Sequence, residues 1–121
     1  MIKFKSLNKS EQFQSILKKK KLNTRYFSIY FDKTSDVVKK NVSKKLNISF
    51  VMKKNIGNAV VRNKIKRKLK SAVRKILEER RPIDLNYTYV IFGKNNVYKD
   101  KFQLIFGEVN EVFKRIKSKG N

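Results

Sequence analysis

Residues 45–79 read KLNISFVMKKNIGNAVVRNKIKRKLKSAVRKILEE, and the spacing of apolar residues in this segment predicts a strand followed by a long helix. Apolar residues stand at every second position from Leu46 to Met52, which predicts a strand over residues 45–52 with one buried face. The segment 55–58 contains a glycine and ends the strand. A long helix is then predicted from residue 59 to residue 79, because Pro82 sets the latest position at which it ends.

This helix has one apolar side and one cationic side. At about 100° per residue, Val61, Ile65, Leu69, Ala72 and Ile76 form a stripe that faces the sheet. Residues 62–75 contain eight cations and no acid, whereas an ordinary exposed helix face mixes charges to gain pairs four residues apart. A phosphate backbone supplies the missing counter-charge. Opposite the stripe lies a cationic ridge of Asn63, Arg67, Lys70 and Arg74, flanked by Lys64, Lys66, Lys68 and Lys75.

The start of the helix predicts a second anion-binding feature. Gly57 lets the backbone turn, and Asn58 is placed to cap the free N–H groups of the first helical turn. Such helix starts attract phosphate or carboxylate groups, and Arg62 lies in the same turn.

The composition agrees with a polyanionic partner. The 121 residues include 32 Lys and Arg against 9 Asp and Glu, which gives a net charge of +23. A lysine-rich genome explains a choice of Lys over Arg, but it does not explain so few acids. Nucleic acid is therefore the predicted partner, and an anionic membrane surface is the minor alternative.

The rest of the chain predicts one domain over residues 1–121, since this length suits a single core. Helices are predicted over residues 9–20, capped by Asn8, and 98–117. Strands are predicted over residues 25–31 and 86–93, and residues 33–44 form a hairpin connection with a possible short strand at 37–42. The fold class is α+β, a two-layer α/β sandwich in the order α-β-β-β-α-β-α. In the strand at 25–31, core and opposite faces alternate: Phe27, Ile29 and Phe31 against Tyr26, Ser28 and Tyr30.

The chain lacks the parts of a nuclease. It has no His and no Cys, which excludes His-based catalysis and thiolate metal sites. Glu108 and Glu111 are the only close pair of acids on one helix face, and their expected role is to offset nearby cations. No secretory h-region and no apolar run near the ~20 residues of a membrane span is visible, so a cytoplasmic protein is expected.

The string KKNIGNAVVRNKIKR at residues 53–67 closely resembles the signature of the bacterial ribonuclease P protein family. In that family a Lys pair ends a strand, a Gly-Asn-Ala-Val segment starts a helix, and an Arg-Asn-Arg core follows. Here the core is Arg62, Asn63 and Lys64. The early Phe, the aromatic strand, the chain length and the terminal helix extend the resemblance along nearly the whole chain.

The resemblance implies the fold of the second domain of ribosomal protein S5, with a left-handed βαβ crossover. It also implies that an RNA subunit with bound Mg²⁺ cleaves the 5′ leader from precursor tRNA, while the protein binds that RNA and the leader and needs no protein partner. The leader-binding residues would be Phe13, Leu17 and Tyr30, and the rings of Phe13 and Tyr30 suit base stacking. The residues implied for binding the catalytic RNA are Lys53, Lys54, Asn58, Arg62, Asn63, Lys64, Lys66, Arg67, Lys70 and Arg74.

The sequence departs from the family pattern in places. Lys64 stands where Arg is commonest, which loses a bidentate phosphate contact. Leu17 stands where Phe is expected, and Asn55 adds a residue before Gly57.

Two alternative functions belong to other classes of protein. One is a structural ribosomal or other rRNA-binding protein of similar fold, and the other is a DNA-binding regulator that reads the major groove with residues 59–79.

Overall fold

A computed structural model describes residues 2–7, 10–33 and 45–119. The possible strand at 37–42 and the cap by Asn8 lie outside these residues. Five strands are described: β1 (Lys3–Lys5), β2 (Lys20–Asn23), β3 (Phe27–Lys33), β4 (Lys45–Val51) and β5 (Tyr87–Gly93). The helices are α1 (Ser10–Ile16), α2 (Ala59–Glu78), α3 (Asn96–Lys99) and α4 (Phe102–Lys119), with a 3₁₀ turn at Lys54–Ile56.

The strands form one mixed sheet in the order β1-β4-β5-β3-β2. β4 pairs in parallel with both β1 and β5, and β3 pairs antiparallel with β5 and β2. The unit β4–α2–β5 is therefore a parallel crossover, and β5 is the central strand, as its apolar sequence predicts. The α+β sandwich is confirmed, and the left hand of the crossover stays a prediction.

One face of the sheet, here called the core face, packs against α2 and α4. Its strands contribute Phe27, Ile29 and Phe31 from β3, together with Leu46 and Ile48 from β4, all buried. Each helix contributes the apolar stripe that its periodicity predicts. The buried members of these stripes are Ile65, Leu69, Ala72, Val73 and Ile76 in α2, and Ile105, Val109, Val112, Phe113 and Ile116 in α4.

The opposite face of the sheet, here called the outer face, carries Ser28, Tyr30 and Phe92. Helix α1 contacts β3 and β5 on this face. Ile16 of α1 and Val90 of β5 are buried but lie outside the main core cluster. The described residues thus cover the outer face only in part, since Ser28, Tyr30 and Phe92 are half-buried.

The first helix is shorter than predicted, and two edge strands were missed. The prediction continued α1 through residue 20, whereas α1 ends at Ile16 and residues 20–23 form β2. Four successive lysines from Lys18 onward repel one another on a helix, while β2 gains backbone hydrogen bonds with β3 and packs Leu22 against the core. β1 has three residues and owes its conformation to parallel pairing with β4, more than 40 positions away in sequence.

The predicted face of Tyr26 was wrong. The Oγ1 atom of Thr24 accepts hydrogen bonds from the backbone N–H groups of Tyr26 and Phe27, at 3.2 and 3.1 Å, so a turn precedes β3. The strand alternation therefore begins at Phe27, and Tyr26 is buried with the core. Its hydroxyl donates a 2.6 Å hydrogen bond to Oδ2 of Asp100, and this bond raises the pKa of Tyr26.

The terminal helix is divided into two. The prediction ran one helix from residue 98 to residue 117, but α3 ends at Lys99 and α4 begins at Phe102. The break is at Asp100, whose backbone is extended. The Nζ atom of Lys68 fixes this break, because it donates to the carbonyl oxygens of Val97, Tyr98 and Asp100 at 2.9, 3.0 and 3.0 Å.

Helix α2 ends in a left-handed turn made by a non-glycine residue. Arg80 has a φ of 55°. The N–H of Arg80 donates to the carbonyl of Leu77, and the N–H of Arg81 donates to the carbonyl of Ile76, at 3.2 and 3.0 Å. These two bonds are the Schellman pattern, in which glycine is the usual residue at the left-handed position.

Candidate RNA interface

The start of α2 is held by its own polar groups. Asn58 caps the helix, since its Oδ1 accepts a 3.0 Å hydrogen bond from the N–H of Val61. Gly57 has a φ of 152°, which side chains disfavour, and a Cβ there would meet Val61 at 3.2 Å. Arg62 donates from Nη1 to the carbonyl of Gly57 at 2.9 Å. Its guanidinium has five N–H donors, so it keeps donors for a ligand while bracing the turn.

The cationic ridge faces away from the core, as the helical projection predicts. Asn63, Arg67 and Arg74 are exposed, and Lys70 is half-buried. The Nε of Arg67 donates only to the carbonyl of Asn63 in its own helix, at 3.4 Å. Within the described ranges the ion pairs of α2 are confined to its C-terminal end, at Lys75. The ridge itself therefore carries uncompensated positive charge.

The ridge packs against β1 and β4 along one flank. The guanidinium of Arg74 lies 5.2 Å from the ring of Phe4, and Nζ of Lys70 lies 6.0 Å from the ring of Phe50. Burial, followed by the like charges of Lys66 and Arg74, lowers the pKa of Lys70. A crowded cation of this kind gains stability when a phosphate supplies negative charge beside it.

The other flank faces α3 and α4, and its cations are engaged within the protein. Nζ of Lys64 lies 4.7 Å from the ring centre of Tyr98, and Nζ of Lys75 lies 4.6 Å from that of Phe106. Lys68 donates all three of its N–H groups to backbone carbonyls. The sequence places Lys68 among the cations that flank the ridge, and the structure adds that its ammonium group is engaged in holding backbone carbonyls.

A second surface lies on the outer face of the sheet, here called the ring cluster: Phe13, Tyr30 and Phe92. The ring of Phe92 lies 6.3 Å from that of Phe13 and 5.6 Å from that of Tyr30, both edge to face. Nζ of Lys21 lies 5.4 Å from Tyr30, and Nζ of Lys53 lies 5.9 Å from Phe92. Half-buried rings beside lysines have the chemistry that suits the stacking of unpaired bases.

The structure brings together two of the three residues predicted for the leader. Phe13 and Tyr30 meet through Phe92, whereas Leu17 lies in the turn after α1 and is half-buried. Phe92 was missed, because the apolar run at the end of β5 conceals which residues leave the core. The alternation offered a signal: Tyr87, Tyr89 and Ile91 face the core, so Phe92 faces outward.

Lys53 and Lys54 connect the two surfaces. They follow β4 and lead through the 3₁₀ turn into α2, so they lie between the ring cluster and the ridge. Both are exposed. One nucleic acid at the ridge and another at the ring cluster would meet at these two lysines.

The described residues hold no group of three Asp, Glu, His or Cys side chains able to bind a metal ion. Glu108 and Glu111 both lie on α4 as predicted, and among the described residues no third Asp, Glu, His or Cys joins them in a metal-binding group. No helix in the described ranges is long and apolar enough to span a bilayer.

The α+β fold carries two features of a nucleic-acid-binding protein. One is the uncompensated cationic ridge on α2, and the other is the ring cluster with its neighbouring lysines. The family model for Ribonuclease P matches residues 1–117, so the chain belongs to the ribonuclease P protein family. It is 33% identical to the ribonuclease P protein component of Carboxydothermus hydrogenoformans, over 97% of this chain and 95% of that relative. It is 30% identical to that of a Bacillus cereus strain, over 90% and 88%.

Solved structures of similar proteins agree on the fold. The Staphylococcus aureus RNase P protein gives a TM-score of 0.69 at 23% identity, covering 93% of this chain and 94% of that one. The Thermotoga maritima RNase P protein gives 0.69 at 21% identity, covering 92% and 96%.

Proposed function

We propose that this chain is the protein subunit of a ribonuclease P ribonucleoprotein that removes the 5′ leader from precursor tRNA. The observation that carries the proposal is the uncompensated cationic ridge on α2, placed on a scaffold of this family. The ridge and its surroundings bind the RNA subunit. The residues assigned to this contact are Lys53, Lys54, Asn58, Arg62, Asn63, Lys64, Lys66, Arg67, Lys70 and Arg74.

The leader of the precursor tRNA lies on the outer face of the sheet. Phe13 and Tyr30 stack with its unpaired bases, Leu17 contributes apolar contact, and Phe92 joins them as the ring that touches both. Lys21 and Lys53 lie beside these rings and contact the leader phosphates. A stacking surface of this kind holds a single strand without requiring a particular sequence.

The chemistry belongs to the RNA subunit and its bound Mg²⁺. Metal-assisted cleavage of a phosphodiester uses carboxylates that converge on ions about 4 Å apart. The sequence has nine acids in total and no His, which supports a binding role for the protein. The RNA subunit would hold Mg²⁺, which would supply the cleavage chemistry, and the holoenzyme works in the cytoplasm without a further protein partner.

The proposal is tested by cleavage of precursor tRNA at low Mg²⁺, with the RNA subunit of the same organism in the presence and absence of this chain. We expect the protein to raise kcat/KM, because it neutralises phosphates that otherwise repel the substrate. A rate that does not change on adding the protein would contradict the proposal. The protein alone serves as the control, and we expect it to leave the substrate uncut.

The leader contact has a separate test in Phe13→Ala. Loss of one stacking ring weakens binding of leader-bearing tRNA by about 1–3 kcal/mol and leaves binding of mature tRNA unchanged. Phe102→Ala is the matched control, since it removes a half-buried ring from α4, on the other side of the sheet. If Phe13→Ala instead unfolds the protein in a thermal melt, Phe13 is a core residue and its assignment to the leader fails.

A further inference from the structure

Two lysines of α2, four positions apart, hold the same residue of α3. Nζ of Lys68 donates to the carbonyl oxygen of Tyr98 at 3.0 Å, and Nζ of Lys64 lies over the Tyr98 ring, 4.7 Å from its centre. A cation at this distance from an aromatic face is attracted by the electrons of the ring. Lys68 has no donor left, because its three N–H groups all bind backbone carbonyls.

Lys64, in contrast, keeps its positive charge for an external partner. It is exposed, and among the residues that the structure describes its ammonium group has neither an ion pair nor a hydrogen bond to a protein oxygen. The ring occupies one side of an ammonium group that has three N–H donors. The contact with Tyr98 therefore leaves donors of Lys64 for a phosphate.

The ring of Tyr98 is held in place by the protein itself. Tyr98 is half-buried and packs against the core, and its neighbour Val97 is fully buried. Nδ2 of Asn96 donates to the carbonyl of Arg25 at 2.7 Å and so ties the start of α3 to the residues before β3. Lys68 holds the carbonyls at the end of α3. The ring is thus in position before any RNA binds.

A lysine that is already ordered binds a phosphate at a lower entropic cost. Lysine is a compact point charge on a flexible stem, and fixing such a side chain at an interface is one of the costs of association. The attraction between the ammonium group and the ring of Tyr98 restricts the side chain of Lys64 in the free protein. Part of the ordering cost is therefore already met when the RNA arrives.

Another lysine of α2 has the same ring contact in a different electrostatic setting. Nζ of Lys75 lies 4.6 Å from the ring centre of Phe106, and it also forms an ion pair of 3.8 Å with Glu79. The charge of Lys75 is therefore compensated within the protein. Lys64 has no such partner among the described residues and lies next to Asn63 of the ridge. The two lysine–ring pairs thus provide a matched comparison.

We propose that Tyr98 is a positioning residue for RNA binding, whose ring holds the ammonium group of Lys64 where it binds a phosphate of the RNA subunit. The inference rests on the proposed function, which assigns Lys64 to that contact, and it adds a residue of α3 to a surface otherwise formed by α2 and the segment before it. Tyr98 acts through Lys64 and makes no contact of its own with the RNA.

The experiment is a double-mutant cycle, read as the affinity of the full chain for the RNA subunit. Tyr98→Leu keeps an apolar side chain and removes the ring, so we expect it to weaken binding about two- to fivefold, which is an exposed cation–π contact expressed as a ratio of affinities. Tyr98→Phe keeps the ring and should bind as the wild type does. In the Lys64→Ala background, Tyr98→Leu should have no further effect.

The salt dependence of binding distinguishes the two residues. Lys64→Ala removes a phosphate contact and should lower the salt slope by about one unit. Tyr98→Leu leaves the phosphate contact in place and should keep the wild-type slope. Phe106→Leu is the matched control, since it removes the ring beside the compensated Lys75 and should leave the affinity for the RNA subunit unchanged.

The order of Lys64 is also measured by NMR on the free wild-type protein, which does not depend on the folding of any variant. The ring of Tyr98 should shift the protons on Cε of Lys64 upfield, and these protons should show contacts with the ring protons. Absence of both signals would overturn the inference.

The affinities offer further outcomes that would overturn it. Tighter binding by Tyr98→Leu would mean that the ring withholds Lys64 from the RNA, and an equal loss in the Lys64→Ala background would mean that Tyr98 contacts the RNA directly. If Lys64→Ala binds as the wild type does, the inference fails together with the assignment of Lys64, while binding through the rest of the ridge leaves the proposed function intact. If the wild-type chain does not bind the RNA subunit, the proposed function itself fails.

Discussion

Arg67→Ala separates a phosphate contact from a contribution to folding. Arg67 is exposed, and its side chain donates only to the carbonyl of Asn63 one turn earlier, at 3.4 Å. No acid pairs with it among the described residues. Alanine is also the best helix former, so the free energy of unfolding should change by less than about 0.5 kcal/mol.

The effect on RNA binding follows from counterion release. Each phosphate contact contributes about 0.9 to the slope of the logarithm of affinity against the logarithm of salt concentration. Losing the Arg67 contact lowers this slope by about one unit. Over a fourfold rise in salt, a slope change of 0.9 corresponds to about 3.5-fold, so the affinity lost by the variant is that much greater at the lower salt.

The assay is a titration of the RNA subunit with wild-type and variant protein at several salt concentrations. Arg115→Ala is the control, since it removes an exposed arginine from α4, away from the ridge. We expect the control to keep the wild-type slope. Identical slopes for Arg67→Ala and the wild type would refute the placement of RNA on the ridge.

Three further substitutions test how α2 is built. Lys68→Met leaves the carbonyls of Val97, Tyr98 and Asp100 without their donor and should lower the free energy of unfolding, measured by urea titration, by about 2 kcal/mol. A loss too small to measure would contradict the structural role of Lys68. Lys70→Gln removes like charges four residues from Lys66 and Arg74, so in low salt the free protein gains about 0.5 kcal/mol while its affinity for the RNA subunit falls. Because the pKa of Lys70 is lowered in the folded state, its positive charge destabilises the fold at every pH below that pKa. The difference in the free energy of unfolding between Lys70→Gln and the wild type should therefore shrink as alkaline pH removes the charge of the lysine. A difference that grows with pH would contradict this role of Lys70. Arg80→Gly removes a left-handed arginine and should stabilise the protein by about 0.5–1 kcal/mol, whereas Arg80→Ala keeps the strain and should not.

The strands and helices whose bounds the sequence predicts well have a clear periodicity of apolar residues. Strand β4 and helix α2 differ from the predicted bounds by one residue at one end, because alternation and a strong apolar stripe specify them locally. Strands β1 and β2 lack such a signal, since they are short, rich in lysine and stabilised by partners elsewhere in the chain. The division between α3 and α4 depends on Lys68, 32 positions from Asp100, and no local pattern reveals it.

The sequence likewise predicts one part of the candidate site, the ridge on α2, and misses the role of Phe92 in the other part. A helical projection finds the ridge, because exposure on a helix follows from angle alone. It does not distinguish Arg67, which is exposed and bonds only within its own helix among the described residues, from Lys68, which donates to three backbone carbonyls elsewhere in the chain. Phe92 escaped notice because its role depends on Phe13 and Tyr30 reaching the same face from other elements.

We propose that one chain contacts two RNAs, the RNA subunit through α2 and the leader through the outer face of the sheet. The most direct measurement compares the affinity for leader-bearing precursor and for mature tRNA, using the RNA subunit with and without this protein. We expect the protein to tighten binding of the precursor by about tenfold or more and to change binding of mature tRNA little. Equal tightening of both tRNAs would contradict the leader contact, and no tightening of either would contradict the binding of both RNAs by this chain.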